Sequence, residues 1–409
     1  MTMKKVAIIG VGHTKFGRLQ DKGLMDLLCE ASLEAIGDAN ANEKDFDSVY
    51  VGVMSPEILN NISGVASALV DRISLIPAGA DDIKNGPASG GSAIKVGFQA
   101  VASGMSDLVL VVGGEKMTHI TTPGYVTSNV ATLTHPEAER LHGVSLPSLA
   151  GLLTRAYLEK YNAKLDWISD IAIKNHKNGA LNPNAHFQKT IDDFMKSAIQ
   201  KGRGNWSNVY EFLKDDKTNP IIADPLRLFH ICPISDGAAA LVLCNAEKAK
   251  GFCDTPIIIS GIGQATDTHI LFEREDFTTL KALRLCSEQA YKMANKTSSN
   301  IDVAELHDAF EILEAVQSED IGFFKKGEGA KAAHEGITQI GGKIPINPSG
   351  GLKARGHPLG ATGIAQVVEL IWQLRGQAGK RQVEGAETGI SCNFGGFGNN
   401  IISILVERM

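Results

Sequence analysis

The sequence predicts an α/β protein of two similar βα halves with an insertion between them. Three observations predict it: short β-branched runs alternate with amphipathic stretches, segments of the first half are echoed in the second, and the stretch 119–233 breaks the rhythm.

The β-branched runs lie at 5–10, 48–53, 108–112, 257–262, 301–305, 388–391 and 400–406. Helical apolar spacing marks 24–39, 92–102, 280–294 and 361–374. This alternation predicts a mainly parallel sheet.

The echo is local but repeated. Val6-Ala-Ile-Ile-Gly-Val-Gly resembles Ile257-Ile-Ile-Ser-Gly-Ile-Gly, and Pro87-Ala-Ser-Gly-Gly-Ser-Ala opens a helix as His357-Pro-Leu-Gly-Ala-Thr-Gly does. Two related halves fused head to tail are the simplest reading. The expected division is 1–118 plus 234–255 for the first half, 119–233 for the insertion and 256–409 for the second half. The insertion carries many Asn, His, Lys and Pro residues and is expected over the sheet ends, where open α/β sheets place ligands.

Composition narrows the class. A chain of 409 residues, 43% hydrophobic and 21% charged, has material for a large core. A net charge of −6 gives no footprint for nucleic acid. No apolar run approaches the ~18 residues of a membrane helix. Six cysteines without a CxxC pair indicate neither a metal site nor a disulfide framework, so a cytoplasmic location is expected. The 43 glycines exceed the usual ~7% and cluster in short loops, a sign of close backbone approaches.

Three segments carry chemistry. In Asn347-Pro-Ser-Gly-Gly-Leu-Lys-Ala-Arg-Gly-His-Pro-Leu-Gly-Ala-Thr-Gly363, glycines flank His357 and let the backbone approach a ligand. The imidazole stands beside a helix N-terminus, whose dipole depresses its pKa. Glu305-Leu-His-Asp-Ala-Phe310 follows a short strand; His307-Asp308 reads as a polar site pair or as a helix-start cap. Ser391-Cys-Asn-Phe-Gly-Gly-Phe-Gly398 follows another strand; Cys392 reads as a proton-shuttling thiol or as a buried structural cysteine.

These segments resemble the thiolase superfamily, and within it the archaeal and sterol-carrier-protein-type branch. The resemblance extends over nearly the whole chain. It implies the five-layered αβαβα thiolase fold with an inserted loop domain. It also implies that His357 and His307 stabilise a thioester enolate oxygen, and that Cys392 moves the α-proton. Asp308, Asn347, Ser349, Gly395, Gly396, Pro87 and Ser89 would line the site. The loop domain and the glycine stretch at Ser260 and Gly261 would contact coenzyme A, which is substrate or product, with no covalently bound cofactor and no metal. A homodimer is implied, with a small zinc-ribbon and OB-fold partner in some members, and no nucleic-acid or membrane partner.

The resemblance breaks at one point. Thiolases take their acyl group on a cysteine at the start of the central helix, and registration on Ser89-Gly-Gly puts Pro87 there. Proline has neither thiol nor N–H, although it suits the first turn of a helix. Ser89 is a poor nucleophile without an adjacent base. The expected function is a thiolase-type enzyme that cleaves or forms the Cα–Cβ bond of a β-ketoacyl-CoA, bulky or aromatic acyl groups included, at an atypical site without the acyl-cysteine. The alternatives are a retro-aldolase on a β-hydroxyacyl-CoA and a non-catalytic acyl-CoA-binding subunit.

Overall fold

A computed structural model describes residues 3–120 and 123–409. The first half opens with β1 (Val6–His13), α1 (Leu24–Asp38), β2 (Ser48–Gly52), α2 (Pro56–Asn60), α3 (Val65–Arg72), β3 (Gly79–Ile83), α4 (Ser89–Ser103) and β4 (Leu108–Glu115). An excursion follows: α5 (Pro123–Ala131), α6 (Leu146–Tyr161), α7 (Leu165–Ala180), α8 (Ile191–Gln200), α9 (Val209–Lys214) and the small pair β5 (Ile221–Ala223) and β6 (Leu226–Arg227). The chain then returns through β7 (Gly237–Asn245) to β8 (Ile257–Thr266), α10 (Lys281–Ala294), β9 (Val303–Glu305), α11 (Glu311–Asp320) and α12 (Gly329–His334). It ends with α13 (Gly351–Ala354), α14 (Thr362–Arg375), β10 (Thr388–Gly395) and β11 (Asn400–Arg408).

The strands form one sheet in the order β3-β2-β4-β7-β1-β8-β11-β10-β9. Its two sides repeat one pattern. β7 lies antiparallel to β1 and β4, and β2 parallel to β4. β11 lies antiparallel to β8 and β10, and β9 parallel to β10. The echoed segments are β1 and β8, which join the halves by pairing Val6–Ile8 with Ile257–Ile259.

The sheet is therefore mixed, which corrects the mainly parallel expectation. The reason is connection length: β10 turns into β11 through four residues, too few for the crossover that a parallel neighbour needs. Besides the small pair β5 and β6, two strands of the large sheet escaped the sequence reading. β3 is Gly-Ala-Asp-Asp-Ile at the sheet edge, and β7 begins Gly-Ala-Ala-Ala. Neither has the β-branched run used as a signal.

Helices α1 and α10 cover the outer faces of their own halves, while α4 and α14 lie together between the halves. Each inner helix touches strands of both halves: α4 meets β4 and β11, and α14 meets β10 and β7. This gives the five layers. Ile94, Val109, Leu241, Ile364, Val367 and Ile404 share the apolar layer around the inner helices. Each such side chain contributes roughly 1.5–3 kcal/mol on burial.

Glycine permits the central contact. A Cβ on Gly90 of α4 would lie 2.6 Å from the carbonyl oxygen of Gly360, just before α14. Cβ atoms on Gly91 and Gly363 would both press on Asn393 Oδ1, at 2.9 and 2.3 Å. The helix starts that the sequence marked as equivalent are thus brought to one place, at the end of β10.

Candidate active site

His307 follows β9, whose Glu305 pairs with Ser391 of β10. That register sets His307 beside the end of β10, where its ring stacks on Phe394 at 5.1 Å with planes 4° apart. The Gln317 amide clamps its backbone, accepting from His307 N–H and donating to its carbonyl, both at 3.0 Å. His357 arrives on the loop before α14 and meets His307 edge to face, with centroids 5.0 Å apart and planes at 89°.

The hydrogen bonds distinguish the two rings. Thr362 donates to the Pro358 carbonyl at 2.9 Å and lies 2.7 Å from His357 Nδ1. A hydroxyl has one proton, so both bonds form only if His357 Nδ1 carries its own hydrogen. Its Nε2 is then an acceptor. His307 Nδ1 faces two donors, the Phe394 N–H at 3.5 Å and Asn393 Nδ2 at 3.4 Å, so its Nε2 carries the hydrogen.

Burial keeps both rings neutral. It lowers His357 to about 3, with the Arg355 charge adding to the effect. It sets His307 well below the usual range, with His357 and Arg355 contributing. Burial, not the helix dipole, is the leading cause.

The pair faces a cavity of about 190 Å³. Pro87, Met117, Val126, Leu146, Phe310 and Phe397 build much of its apolar wall, and Gly396 lines it too. The walls come from the turn before α4, from α5 and α6 and from the segment before β7, so residues of the excursion line the cavity.

The structure does not bring Cys392 to the pair. Its sulfur is buried in the core, 3.6 Å from Ser403 Oγ, with Cys286 nearby. Burial holds the thiol well above its usual pKa. The acid/base expectation for Cys392 is corrected on that ground. The next side chain, Asn393, reaches α4 instead, donating to the Pro87 carbonyl at 3.2 Å and accepting from Gly91 N–H at 3.1 Å.

Other expected residues brace the site without lining it. Asp308 accepts from Leu352 N–H and Asn175, so it caps α13. Asn347, at φ 55°, accepts from Leu306 N–H and donates to Glu314. Ser349 donates to Glu305. Ser89 accepts from Asn85 N–H and donates to the Gly86 carbonyl, a buried helix-start bond that leaves no role as nucleophile. A Cβ on Gly395 would lie 2.9 Å from Asn85 Oδ1. Ser260 and Gly261 lie within β8, where the serine donates to the Leu405 carbonyl and the glycine packs on the Ala290 carbonyl of α10. They lie inside the sheet and are not among the residues that line the cavity.

Sequence reasoning missed Cys232, which lines the cavity and whose thiol burial pushes up to about 12. It also missed the carboxylate group Asp308, Glu311 and Glu314 behind His307. Lys174 pairs with Glu314 at 3.0 Å, and Asn175 donates to all three carboxylates. The cluster is therefore filled by the protein's own cation and amide.

The five-layered α/β fold of two similar halves thus holds two neutral imidazoles over an apolar cavity. The chain belongs to the thiolase family: the model described as "Thiolase, N-terminal domain" matches residues 6–247, and "Thiolase C-terminal domain-like" matches 263–408. It is 42% identical to an acetyl-CoA acetyltransferase of Methanothermobacter thermautotrophicus, covering 99% of this chain and 100% of that one. It is 31% identical to sterol carrier protein 2 of Oryctolagus cuniculus, over 98% of this chain and 72% of that one. Among solved structures, an Ltp2-ChsH2(DUF35) aldolase superposes with TM-score 0.80 at 22% identity, over 100% and 98% of the two chains. The human mitochondrial 3-ketoacyl-CoA thiolase in complex with CoA superposes with TM-score 0.71 at 17% identity, over 100% of both.

Proposed function

We propose that this chain makes or breaks the Cα–Cβ bond of an acyl-CoA thioester through an enolate steadied by His307, with His357 as the base and without an acyl-enzyme. The observation that carries this is the contrast at the cavity: two neutral imidazoles face it, while the mouth of α4 presents Pro87 and no sulfur.

Retro-aldol cleavage of a β-hydroxyacyl-CoA fits that inventory best. His357 Nε2 takes the β-hydroxyl proton, a carbonyl forms at Cβ, and the Cα–Cβ pair of electrons moves into the thioester. The His307 Nε2–H steadies the enolate oxygen. Return of the proton from His357 to Cα leaves one thioester and one aldehyde or ketone, and no acyl acceptor is needed. The apolar wall suits a bulky or aromatic acyl group.

Thiolysis of a β-ketoacyl-CoA is the second reading, favoured by the 42% identical relative named acetyl-CoA acetyltransferase. It requires free coenzyme A to attack directly, since burial holds the Cys232 thiol protonated at neutral pH. In either case we place the protein as a cytoplasmic homodimer with a small zinc-ribbon and OB-fold subunit. The aldolase neighbour, which names two proteins, Ltp2 and ChsH2(DUF35), supports a partner.

Product analysis separates the readings. The purified chain, alone and with its genomic neighbours, is given panels of β-hydroxy and β-keto acyl-CoA esters. One thioester plus a carbonyl compound is the expected outcome. Two thioesters with consumption of coenzyme A would replace it by thiolysis, and no product from any ester would leave an acyl-CoA-binding subunit.

A further inference from the structure

We propose that Arg355, through its ion pair with Glu305, is a positioning residue that fixes how His307 and His357 meet. The two loops carry the same offset: Glu305 stands two residues before His307, and Arg355 two before His357. One guanidinium nitrogen, Nη1, lies 3.2 Å from the Glu305 carboxylate and 3.3 Å from Ser349 Oγ. Ser349 closes the triangle, its hydroxyl and N–H both donating to Glu305 at 2.7 and 3.0 Å. The two side chains are 1% and 0% exposed, and burial pushes the Glu305 carboxyl up to about 7 against the opposing pull of the Arg355 charge. The loops are thus stapled together just behind the imidazoles.

Stability alone is a weak reason for such a pair. Buried ion pairs are often matched by apolar residues of similar volume. This one is also incompletely bonded: Arg355 Nε and Nη2 make no hydrogen bond to the described residues, while the Phe16 ring lies 6.0 Å from the guanidinium carbon. Its location supplies the better reason. A permanent positive charge stands close enough to both rings to oppose their protonation. Neutrality lets one ring donate while the other accepts.

Other ionisable groups surround this layer. His13 of β1 senses Arg355 and Arg381, and Glu369 of α14, bonded to Arg381, acts on Glu305. Asp308 and Glu311 lie on the α11 side.

The inference rests on the functional reading, because it takes the imidazole pair as the reacting centre, yet its test needs no substrate. Spectra of the full chain with ¹⁵N-labelled histidine, between about pH 5 and 8, report protonation and tautomer of both rings. In Arg355→Met the signals of His307 or His357 are expected to shift as the rings change orientation or tautomer. Arg355→Lys is expected to keep the parent spectrum, since one nitrogen makes the present contacts. With an active substrate, Arg355→Met loses about 100-fold in kcat with KM little changed, and Lys restores most of it. A folded Arg355→Met with parental histidine signals overturns the proposal. If Arg355→Met does not fold, Glu305→Gln is read in its place, and parental signals there overturn it equally. Shifted signals in a protein inactive on every ester would instead sink the functional reading and leave this one standing.

Discussion

His307 and His357 meet edge to face with ring centroids 5.0 Å apart, one presenting a hydrogen to the cavity and the other a lone pair. Removing either is predicted to abolish most chemistry. His357→Ala and His307→Ala are each expected to lose at least ~100-fold in kcat, measured on whichever ester the product panel identifies. A near-normal rate in either variant would detach the pair from the reaction.

Cys392 gives the opposite expectation. With its sulfur against Ser403 and Cys286, Cys392→Ala keeps parental turnover and loses about 1 kcal/mol of stability through the lost contact. Turnover and thermal melting on one preparation check both. A large fall in kcat without a fall in melting temperature would return the thiol to the mechanism.

Position 87 tests the proposal that no acyl-enzyme forms. Intact-mass spectrometry after incubation with acyl-CoA should show no acyl adduct on the parent chain. Pro87→Cys sets a thiol on the cavity wall and is expected to become acylated. An adduct on the parent would overturn the non-covalent reading, and peptide mapping would locate the residue responsible.

The pH dependence of stability follows from the buried histidines. His13, His176, His230 and His357 are lowered from 6.5 to about 3, chiefly by burial. Below 6.5 the unfolded chain takes protons that the folded chain refuses, so their contribution is full above that pH and lost as pH falls toward 3. Glu115 and Asp308, raised to about 7 by burial, act in reverse. They favour the folded state below about 4 and lose that contribution as pH rises through 7. Melting temperature should therefore peak near pH 6 to 7, roughly between the two sets. A melting temperature at about pH 5 above that at pH 7 would contradict the burial of these histidines.

Much of this was legible in the sequence, for identifiable reasons. The β-branched runs became strands because their pattern suits a buried sheet, and the two equivalent helix starts proved to be neighbours. His307 and His357 were legible because their glycine and strand contexts are distinctive. What failed was facing. A strand alternates its side chains, and the sequence of β10 does not say which of Cys392 and Asn393 turns toward α4. The outcome was decided by tertiary packing, where Asn393 fits between Gly91 and Gly363. Ser260 and Gly261 carry a similar ambiguity: a glycine that lets a helix lie on a strand looks, in one dimension, like a glycine that admits a ligand.

The site at the abutting inner helices draws on both halves. Position 87 belongs to the first copy of the duplicated unit, and both imidazoles belong to the second. A substitution at position 87 and one at either imidazole therefore fall in different halves, and each can change while the other half keeps its sequence.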